Sequence, residues 1–134
     1  MTTATAARSN VQIVRHLYDA FASGDIPALL ANFDPQMEWV AAEGAPYPGT
    51  FLGPNDILTN LFARLSSEWD GFRAQPAEVL DAGEHVVVLG RYFGTYKETG
   101  RSMSAAFAHV WTVRDGRVFR LRQYADTRKI AEAL

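Results

Sequence analysis

The sequence predicts an α+β domain in which three N-terminal helices pack on a curved, mainly antiparallel sheet and a short helix ends the chain. Up to about residue 65, apolar residues recur at the three- and four-residue spacing of amphipathic helices. From Phe72 onward, long β-type stretches alternate with turns that contain Gly and Asp. A block of helices followed by a block of strands is typical of α+β folds.

Length and composition favour one globular domain. The chain has 134 residues, of which 48% are hydrophobic and 21% are charged, and its net charge is −2. A weakly acidic chain without a basic block lacks the electrostatic footprint of a nucleic-acid-binding protein. There is no cysteine, no run of apolar residues long enough to span a membrane and no secretory signal. We therefore expect a disordered lead-in over residues 1–8, a single domain over residues 9–134, and a cytoplasmic location without a membrane partner.

Each of the three helices has its own start or stop signal. The first runs from about Ser9 to Ala22 and ends at Gly24, because glycine readily adopts the left-handed conformation of a C-cap. Asp25 caps a short second helix that extends to Phe33, with Pro27 in its first turn. The third helix begins at Pro54, and its apolar stripe comprises Ile57, Leu58, Leu61, Phe62 and Leu65.

Between the second and third helices, residues 37–41 form a short strand candidate that contains Trp39. The loop that follows, residues 43–53, is rich in Gly and Pro and carries Glu43 and Tyr47. A loop of this length in a compact domain is often functional.

Four strands are predicted at residues 72–80, 84–96, 102–114 and 117–125, and Asp115-Gly116 gives the last two a tight hairpin turn. Because strand side chains alternate, one face of the hairpin carries Phe107, His109, Trp111 and Val113 opposite Phe119, Leu121, Gln123 and Ala125. A polar group on a buried face needs a hydrogen-bond partner. His109 and Gln123 are therefore either a site or a satisfied polar pair in the core.

This order of elements resembles the SnoaL-like polyketide cyclases and the related ketosteroid isomerases of the nuclear transport factor two-like superfamily. The segments that carry the resemblance are LYDAFASGDIPALLANFDP, PYPGTFLG, DAGEHVVVLGRYFGTYKETGR and FAHVWTVRDGRVFRLRQYADT. The resemblance covers residues 9 to 134. It implies a cone-shaped α+β barrel with a deep apolar pocket open at one end, and a homodimer that pairs through the outer face of the sheet.

The steroid isomerase branch of this family does not fit the chain. The resemblance places Trp39 where those enzymes carry an aspartate base, and His109 where they carry a protonated aspartate. Their oxyanion tyrosine falls on Leu17, one position from Tyr18. Isomerisation needs a base to move the proton, and an indole is not a base. Steroid isomerase activity is therefore not expected.

Two other branches lack an acid. In the cyclase branch the resemblance implies a histidine, matched by His109, and an acid on the last strand. That acid position falls on Gln123, and Asp126 follows three residues later. The epoxide hydrolase branch implies an Asp–Arg–Asp arrangement; Arg91 could supply the arginine, but Phe93 and Gln123 occupy the acid positions. Epoxide hydrolysis is therefore not expected either.

Several candidates also have a structural interpretation. Asp126 precedes Thr127 and a short helix, so N-capping is favoured over catalysis for it. Arg91 either points inward to an anionic ligand group, which we favour, or joins a polar outer face. Glu38 belongs to the outer face of its strand, and Glu43 to a solvated loop. His16, His85 and His109 lie on different elements, so no metal site is expected.

The resulting hypothesis is an apolar pocket that binds a small hydrophobic, carbonyl-containing molecule. The predicted catalytic residues are His109, Gln123, Tyr18 and Asp126. The predicted ligand-binding residues are Trp39, Tyr47, Phe62, Trp69, Arg91, Phe107 and Trp111. The chemistry would be proton transfer of the isomerase, cyclase or dehydratase type, which requires no cofactor. The alternatives are a non-catalytic ligand-binding or sensing module and, ranked last, a protein-interaction domain.

Overall fold

The computed structural model describes residues 9–134, and the predicted lead-in of residues 1–8 lies outside the described residues. In chain order the elements are α1 (Asn10–Ser23), α2 (Ile26–Leu30), β1 (Phe33–Val40), β2 (Thr50–Leu52), α3 (Pro54–Ile57), a π-helical turn (Leu58–Phe62), α4 (Ala63–Glu68), β3 (Trp69–Ala82), β4 (His85–Tyr96), β5 (Ser102–Arg114), β6 (Arg117–Ala125) and α5 (Thr127–Ala131). Helices precede a run of long strands and a short helix follows. The predicted α+β fold class is thus confirmed.

Helix α1 has a signal at each end that fixes its length. The Ser9 hydroxyl accepts a hydrogen bond from the Gln12 backbone N–H, and the Gln12 side chain accepts one from the Ser9 backbone N–H, which forms a capping box. At the other end Gly24 adopts a left-handed φ of 74°. Between them, Val14, Leu17 and Tyr18 form a buried stripe that faces the sheet.

The segment after α1 differs from the prediction at two points. Helix α2 is capped by Asp25 as expected, but it ends at Leu30, and Phe33 begins strand β1 by pairing with Val118 of β6. The predicted loop also contains strand β2, which pairs antiparallel with β1. Sheet pairing decided both outcomes, because an edge pair of three residues has little local signal.

The third helix is interrupted by a π-helical turn. Segments α3 and α4 flank the turn at Leu58–Phe62 and continue one helical run from Pro54 to Glu68. π-helical turns are rare and occur mostly at functional positions. Here the turn places Leu61 and Phe62, both buried, side by side against the interior of the fold.

The six strands form one sheet in the order β2-β1-β6-β5-β4-β3. The pair β1·β6 is parallel and the other neighbours are antiparallel. Asp115 and Gly116 have φ values of 50° and 76°, so the predicted tight turn between β5 and β6 is confirmed. In this hairpin His109 lies directly opposite Gln123, and Trp111 opposite Leu121.

A bulge changes which residue of β6 faces inward near the turn. The register shifts between Thr112 and Val113, so that Val113 pairs with Val118. Val118 is fully buried, whereas Phe119 is half-buried beneath the guanidinium of Arg114. The expectation that Phe119 belongs to the inner face was wrong, because one extra residue in a strand reverses the alternation.

The described helices and the inner face of the sheet enclose the core between them. Strand β5 contributes Met103, Ala105, Phe107, His109, Trp111 and Val113 to this interior, all buried and all at alternate positions. Within residues 9–134, no helix is long and apolar enough to cross a membrane.

Candidate functional site

A cavity of about 100 Å³ lies inside the cone, between the helices and the inner face of the sheet. Its walls are mostly aromatic and aliphatic. They are formed by Leu17, Tyr18, Phe21, Leu29, Trp39, Ala42, Ala45, Pro46, Tyr47, Leu61, Phe62, Leu65, Trp69, Phe72, Ala74, Tyr92, His109, Trp111, Gln123, Ala125 and Ile130. Among the described residues no Asp, Glu, Lys or Arg lines this cavity. An apolar cavity with a few convergent polar groups is the usual form of a small-molecule site.

His109 is the centre of the polar part of the cavity wall. Its side chain is 3% exposed, and its imidazole stacks on Phe107 with ring centroids 4.0 Å apart. Both ring nitrogens are held by tyrosines: the Tyr18 hydroxyl lies 2.5 Å from Nδ1, and the Tyr92 hydroxyl lies 2.5 Å from Nε2. Neither ring nitrogen is therefore free for a direct contact with a molecule in the cavity.

Two further side chains hold the tyrosines in place. The Trp111 indole Nε1–H donates to the Tyr18 hydroxyl oxygen over 2.9 Å. The Gln123 amide Nε2–H donates to the Tyr92 hydroxyl oxygen over 2.9 Å. Together the five side chains form a continuous hydrogen-bonded chain in the order Trp111, Tyr18, His109, Tyr92, Gln123. We call it the polar chain.

Burial keeps the polar chain uncharged. Desolvation lowers the pKa of His109 to about 3, because the imidazolium would lose its hydration inside an apolar wall. Desolvation also raises the pKa of Tyr18 and of Tyr92 well above the usual value for a phenol. At neutral pH the site therefore presents a neutral imidazole and two neutral phenols, which donate and accept hydrogen bonds without carrying charge.

A second cluster holds the loop between β1 and β2 over the cavity. The Tyr47 hydroxyl donates to Glu68 Oε1 over 2.6 Å and accepts from Trp69 Nε1–H over 3.1 Å. Arg64 pairs with Glu68 at 3.1 Å and lies 4.4 Å over the Tyr47 ring. Hydrogen bonding to Tyr47 holds the pKa of the Glu68 carboxyl below its usual value. The Tyr47 ring lines the cavity, while its hydroxyl is hydrogen-bonded to Glu68 and Trp69.

Trp39 contributes a donor that has no acceptor. Its side chain is 7% exposed and lines the cavity, with its ring edge-on to Phe62 and Trp111 at centroid distances of 5.4 and 5.9 Å. Its indole Nε1 is buried and has no hydrogen-bond partner among the described residues. An unpaired buried donor costs free energy, which makes this atom a candidate contact for a ligand.

Most of the predicted site residues meet at this cavity. Of the predicted catalytic residues, His109, Gln123 and Tyr18 lie in its wall. Of the predicted ligand-binding residues, Trp39, Tyr47, Phe62, Trp69 and Trp111 lie there too, whereas Phe107 supports His109 from behind. Their roles in catalysis or binding remain predictions.

Two predicted residues lie elsewhere. Asp126 is exposed and caps α5, where its carboxylate accepts from the Lys129 backbone N–H over 3.2 Å. Arg91 is exposed and donates to the Ser104 hydroxyl over 3.0 Å, so its side chain points away from the cavity. The favoured inward orientation of Arg91 was wrong, because the inner face of β4 carries its even-numbered neighbours. Glu43 is exposed on its loop.

Tyr92 was missed by the sequence analysis although it contacts His109 directly. The signal was weak because the first half of β4 contains the run Val86, Val87, Val88 and Leu89, and an apolar run on both faces does not reveal which face is inward. The structure buries Val86 and Val88 fully, and the same alternation brings Tyr92 inward. His109 and Gln123, for which a direct polar pair was one of the alternatives, are linked through the Tyr92 hydroxyl.

The described residues contain no cluster of three or more His, Asp or Glu side chains that could hold a metal ion.

The family follows from a match over most of the chain. Residues 14–121 match the model of the SnoaL-like domain. This chain is a SnoaL-like domain protein. No curated protein matches it in sequence.

Solved structures agree with this assignment. An NTF2-like protein of Burkholderia thailandensis is 39% identical, with a TM-score of 0.91, and the match covers 94% of this chain and 97% of that one. TerC, whose structure was determined after co-crystallisation with polyporic acid, is 31% identical, with a TM-score of 0.84 and coverages of 92% and 96%. A putative SnoaL-like polyketide cyclase from a Jannaschia species is 17% identical, with a TM-score of 0.79 and coverages of 96% and 96%, and shares the fold.

Proposed function

We propose that this SnoaL-like domain binds a small hydrophobic molecule in its cavity and recognises a carbonyl oxygen on that molecule through the polar chain. The observation that carries the proposal is the contrast within the cavity wall. Apolar residues form nearly all of it, and the neutral hydroxyls of Tyr18 and Tyr92 lie at one place on it, on either side of His109. A ligand that is apolar except for one accepting oxygen matches this distribution.

The same arrangement supports cofactor-free proton transfer of the isomerase, cyclase or dehydratase type. Donors fixed in a water-poor cavity stabilise negative charge that develops on a carbonyl oxygen during enolisation. Tyr18 and Tyr92 are held by Trp111, His109 and Gln123, so little reorganisation is needed when that charge forms. His109 would act as a positioning residue, because both of its nitrogens contact tyrosines and neither is free for a substrate.

A relative supports the class of ligand. TerC was crystallised with polyporic acid, an aromatic hydroxyquinone that combines an apolar body with carbonyl oxygens. This chain is 31% identical to TerC over nearly its whole length. Small aryl ketones, which share an apolar body and a carbonyl oxygen with polyporic acid, are therefore suitable first compounds for soaking crystals of this protein.

Calorimetric titration with a matched pair of ligands tests the proposal in solution. The compound 3-methylacetophenone carries one carbonyl, and 3-ethyltoluene has nearly the same shape without an oxygen. We expect the ketone to bind at least tenfold more tightly in the wild type, and the difference to fall in the Tyr18→Phe/Tyr92→Phe double variant. Equal affinity for both compounds, or no binding of either, would overturn carbonyl recognition.

A non-catalytic binding module is the second candidate function, and one observation favours it. No carboxylate lines the described cavity, so the strong base that enolisation ordinarily uses is missing from its walls. Deuterium exchange at the methyl ketone of 3-methylacetophenone, followed by NMR, separates the two candidates. Exchange that the wild type accelerates and that the Tyr18→Phe/Tyr92→Phe double variant does not accelerate supports catalysis. Binding without acceleration supports the module.

A further inference from the structure

We infer that the polar chain offers a ligand one hydrogen-bond donor and one acceptor at the same time, on the two different tyrosines that flank His109. The ligand that fits carries both a carbonyl and a hydroxyl group, as in an enolised diketone or a hydroxyaryl ketone. This inference rests on the proposed function, since it concerns the same cavity. It goes further, because it adds a second polar group to the ligand and couples the two contacts.

The first step is a count of protons in the polar chain. Four contacts join its five side chains: Trp111 to Tyr18, Tyr18 to His109, His109 to Tyr92, and Tyr92 to Gln123. A neutral imidazole has one N–H, each tyrosine has one O–H, and the indole and the amide each contribute one N–H to the chain. Five protons are thus available for four contacts, and one proton is left over.

The leftover proton must belong to a tyrosine. Trp111 and Gln123 point their N–H groups at the tyrosine oxygens, which fixes the direction of the two outer contacts. If His109 carries its proton on Nε2, it donates to Tyr92, Tyr18 donates to Nδ1, and the Tyr92 O–H has no partner in the chain. If the proton is on Nδ1, the roles reverse and the Tyr18 O–H is the free donor.

The second step is a count of lone pairs, and it gives the complementary result. With the His109 proton on Nε2, the Tyr92 oxygen accepts from both His109 and Gln123, whereas the Tyr18 oxygen accepts only from Trp111 and keeps a lone pair. With the proton on Nδ1, Tyr92 keeps the lone pair. In either tautomer, one tyrosine is a donor to the cavity and the other is an acceptor.

These counts define the class of ligand. Both tyrosines line the cavity, so one molecule can contact both. A ketone alone uses the free proton and leaves the lone pair unused, and an alcohol that donates alone does the reverse. A molecule with a carbonyl at one tyrosine and a hydroxyl at the other satisfies both. The cavity wall holds no cation for an anionic ligand, and burial of an unpaired charge is costly.

Four nearly isosteric compounds test this class. They are 3-hydroxyacetophenone, with both groups; 3-methylacetophenone, with the carbonyl alone; 3-ethylphenol, with the hydroxyl alone; and 3-ethyltoluene, with neither. Titration calorimetry at pH 7 gives four affinities. They form a thermodynamic cycle that compares the combined effect of the carbonyl and the hydroxyl with the sum of their separate effects. We expect the hydroxyketone to bind more tightly than the two single gains predict, by about twofold where the two tautomers are equally populated in the free protein, because its carbonyl fixes the tautomer that makes the other tyrosine an acceptor.

The outcomes distinguish this inference from the proposed function. If no compound binds, or if 3-ethyltoluene binds as well as the rest, the proposed function fails. If 3-methylacetophenone binds better than 3-ethyltoluene but the hydroxyl adds nothing beyond an independent gain, the proposed function stands and this inference is wrong. In His109→Phe the tyrosines are no longer linked, so the excess affinity of the hydroxyketone should disappear.

A measurement on the wild type covers the case in which His109→Phe fails to fold. Nitrogen-15 NMR distinguishes an imidazole N–H from a bare ring nitrogen at each position of His109. We expect the free protein to show a mixture of the two tautomers and the 3-hydroxyacetophenone complex to show one. A His109 spectrum that is identical with and without that ligand would contradict the coupling.

Discussion

At the scale of single residues, His109 sets the chemistry of the cavity by staying neutral. It is buried against Phe107, and burial lowers its pKa to about 3. A protonated imidazole at this position would donate from both nitrogens and reverse the contact with whichever tyrosine donates to it. The neutral imidazole therefore stabilises the folded protein and also determines the hydrogen bonds in the cavity wall.

Because His109 is neutral in the folded protein, we expect the free energy of unfolding to decrease as the pH is lowered below about 6.5. The pKa of His109 is about 3 in the folded protein and near 6.5 when unfolded, so below pH 6.5 the unfolded chain binds the additional proton. Stability from this residue is present above pH 6.5 and is lost as pH falls toward 3. At pH 5 we expect a loss of about 2 kcal/mol relative to pH 7.5. Urea unfolding at the two pH values measures it.

The control for this prediction is His109→Phe, which removes the titrating group and keeps an aromatic ring against Phe107. Its free energy of unfolding should change less between pH 7.5 and pH 5 than that of the wild type. The same change in both proteins would show that His109 does not carry the pH dependence.

Tyr92 contacts His109 but was not identified from the sequence, and Tyr92→Phe tests its role in stability. The change removes the hydroxyl between His109 Nε2 and the Gln123 amide and leaves two polar groups without their partner. We expect the free energy of unfolding to fall by about 2 kcal/mol. The exposed Tyr124 gives a matched control, because Tyr124→Phe removes a hydroxyl from the surface and should change stability by less than about 0.5 kcal/mol. Equal effects of the two changes in chemical denaturation would exclude the polar chain as a source of stability.

At the scale of elements, the sequence predicted those parts whose signals are local. The hairpin of β5 and β6 was predictable, because Asp115-Gly116 sets the turn and the alternation from Phe107 to Val113 sets the inner face. The same local logic gave α1 and the capping of α5 by Asp126. Phe33, Phe119 and Arg91 were misplaced for a shared reason. Phe33 is placed by the parallel pairing of β1 with β6, Phe119 by the bulge in the hairpin, and Arg91 by the orientation of a strand that is apolar on both faces. Long-range contacts decide all three.

Gly90 of β4 shows how one element constrains the site, and it leads to a prediction. A Cβ atom at this position would lie 2.3 Å from the Gln75 carbonyl oxygen and 2.6 Å from the Phe107 ring. Gly90→Ala should therefore push Phe107 into His109 and cost about 1–3 kcal/mol. Ketone binding should weaken along with stability, because Phe107 supports the imidazole.

Gly83→Ala separates this packing effect from the general cost of replacing a glycine. Gly83 lies in the turn before β4 with a φ of 74° and open space around it. Alanine there should cost about 1 kcal/mol through backbone strain and leave ketone affinity unchanged. Thermal unfolding and calorimetric titration of the two variants give the comparison. A Gly90→Ala protein with wild-type affinity for the ketone would show that Phe107 does not position His109.

At the scale of the whole molecule, the two faces of the sheet differ in chemical character. The inner face of the sheet faces the cavity, whereas the outer face carries charged and apolar groups, such as the Glu38–Arg120 pair at 2.9 Å. On that outer face Ala108 lies opposite Tyr124, and Val110 lies opposite Arg122. Tyr124 is 54% exposed, and together with Ala108 and Val110 it forms an apolar strip beside Arg122.

We propose that this strip pairs with a second copy of the chain, so that the protein is a homodimer through the outer face of the sheet. Light scattering after gel filtration should give the mass of two chains. Tyr124→Lys places a second cation in the strip beside Arg122 and should shift the population to monomer, because an unpaired charge at the centre of an apolar contact is costly. Leu58→Lys is the matched control, since Leu58 is an exposed apolar residue of the helical layer and lies outside the strip. If both variants keep the mass of the wild type, or if the wild type is already a monomer, the outer face does not form the interface.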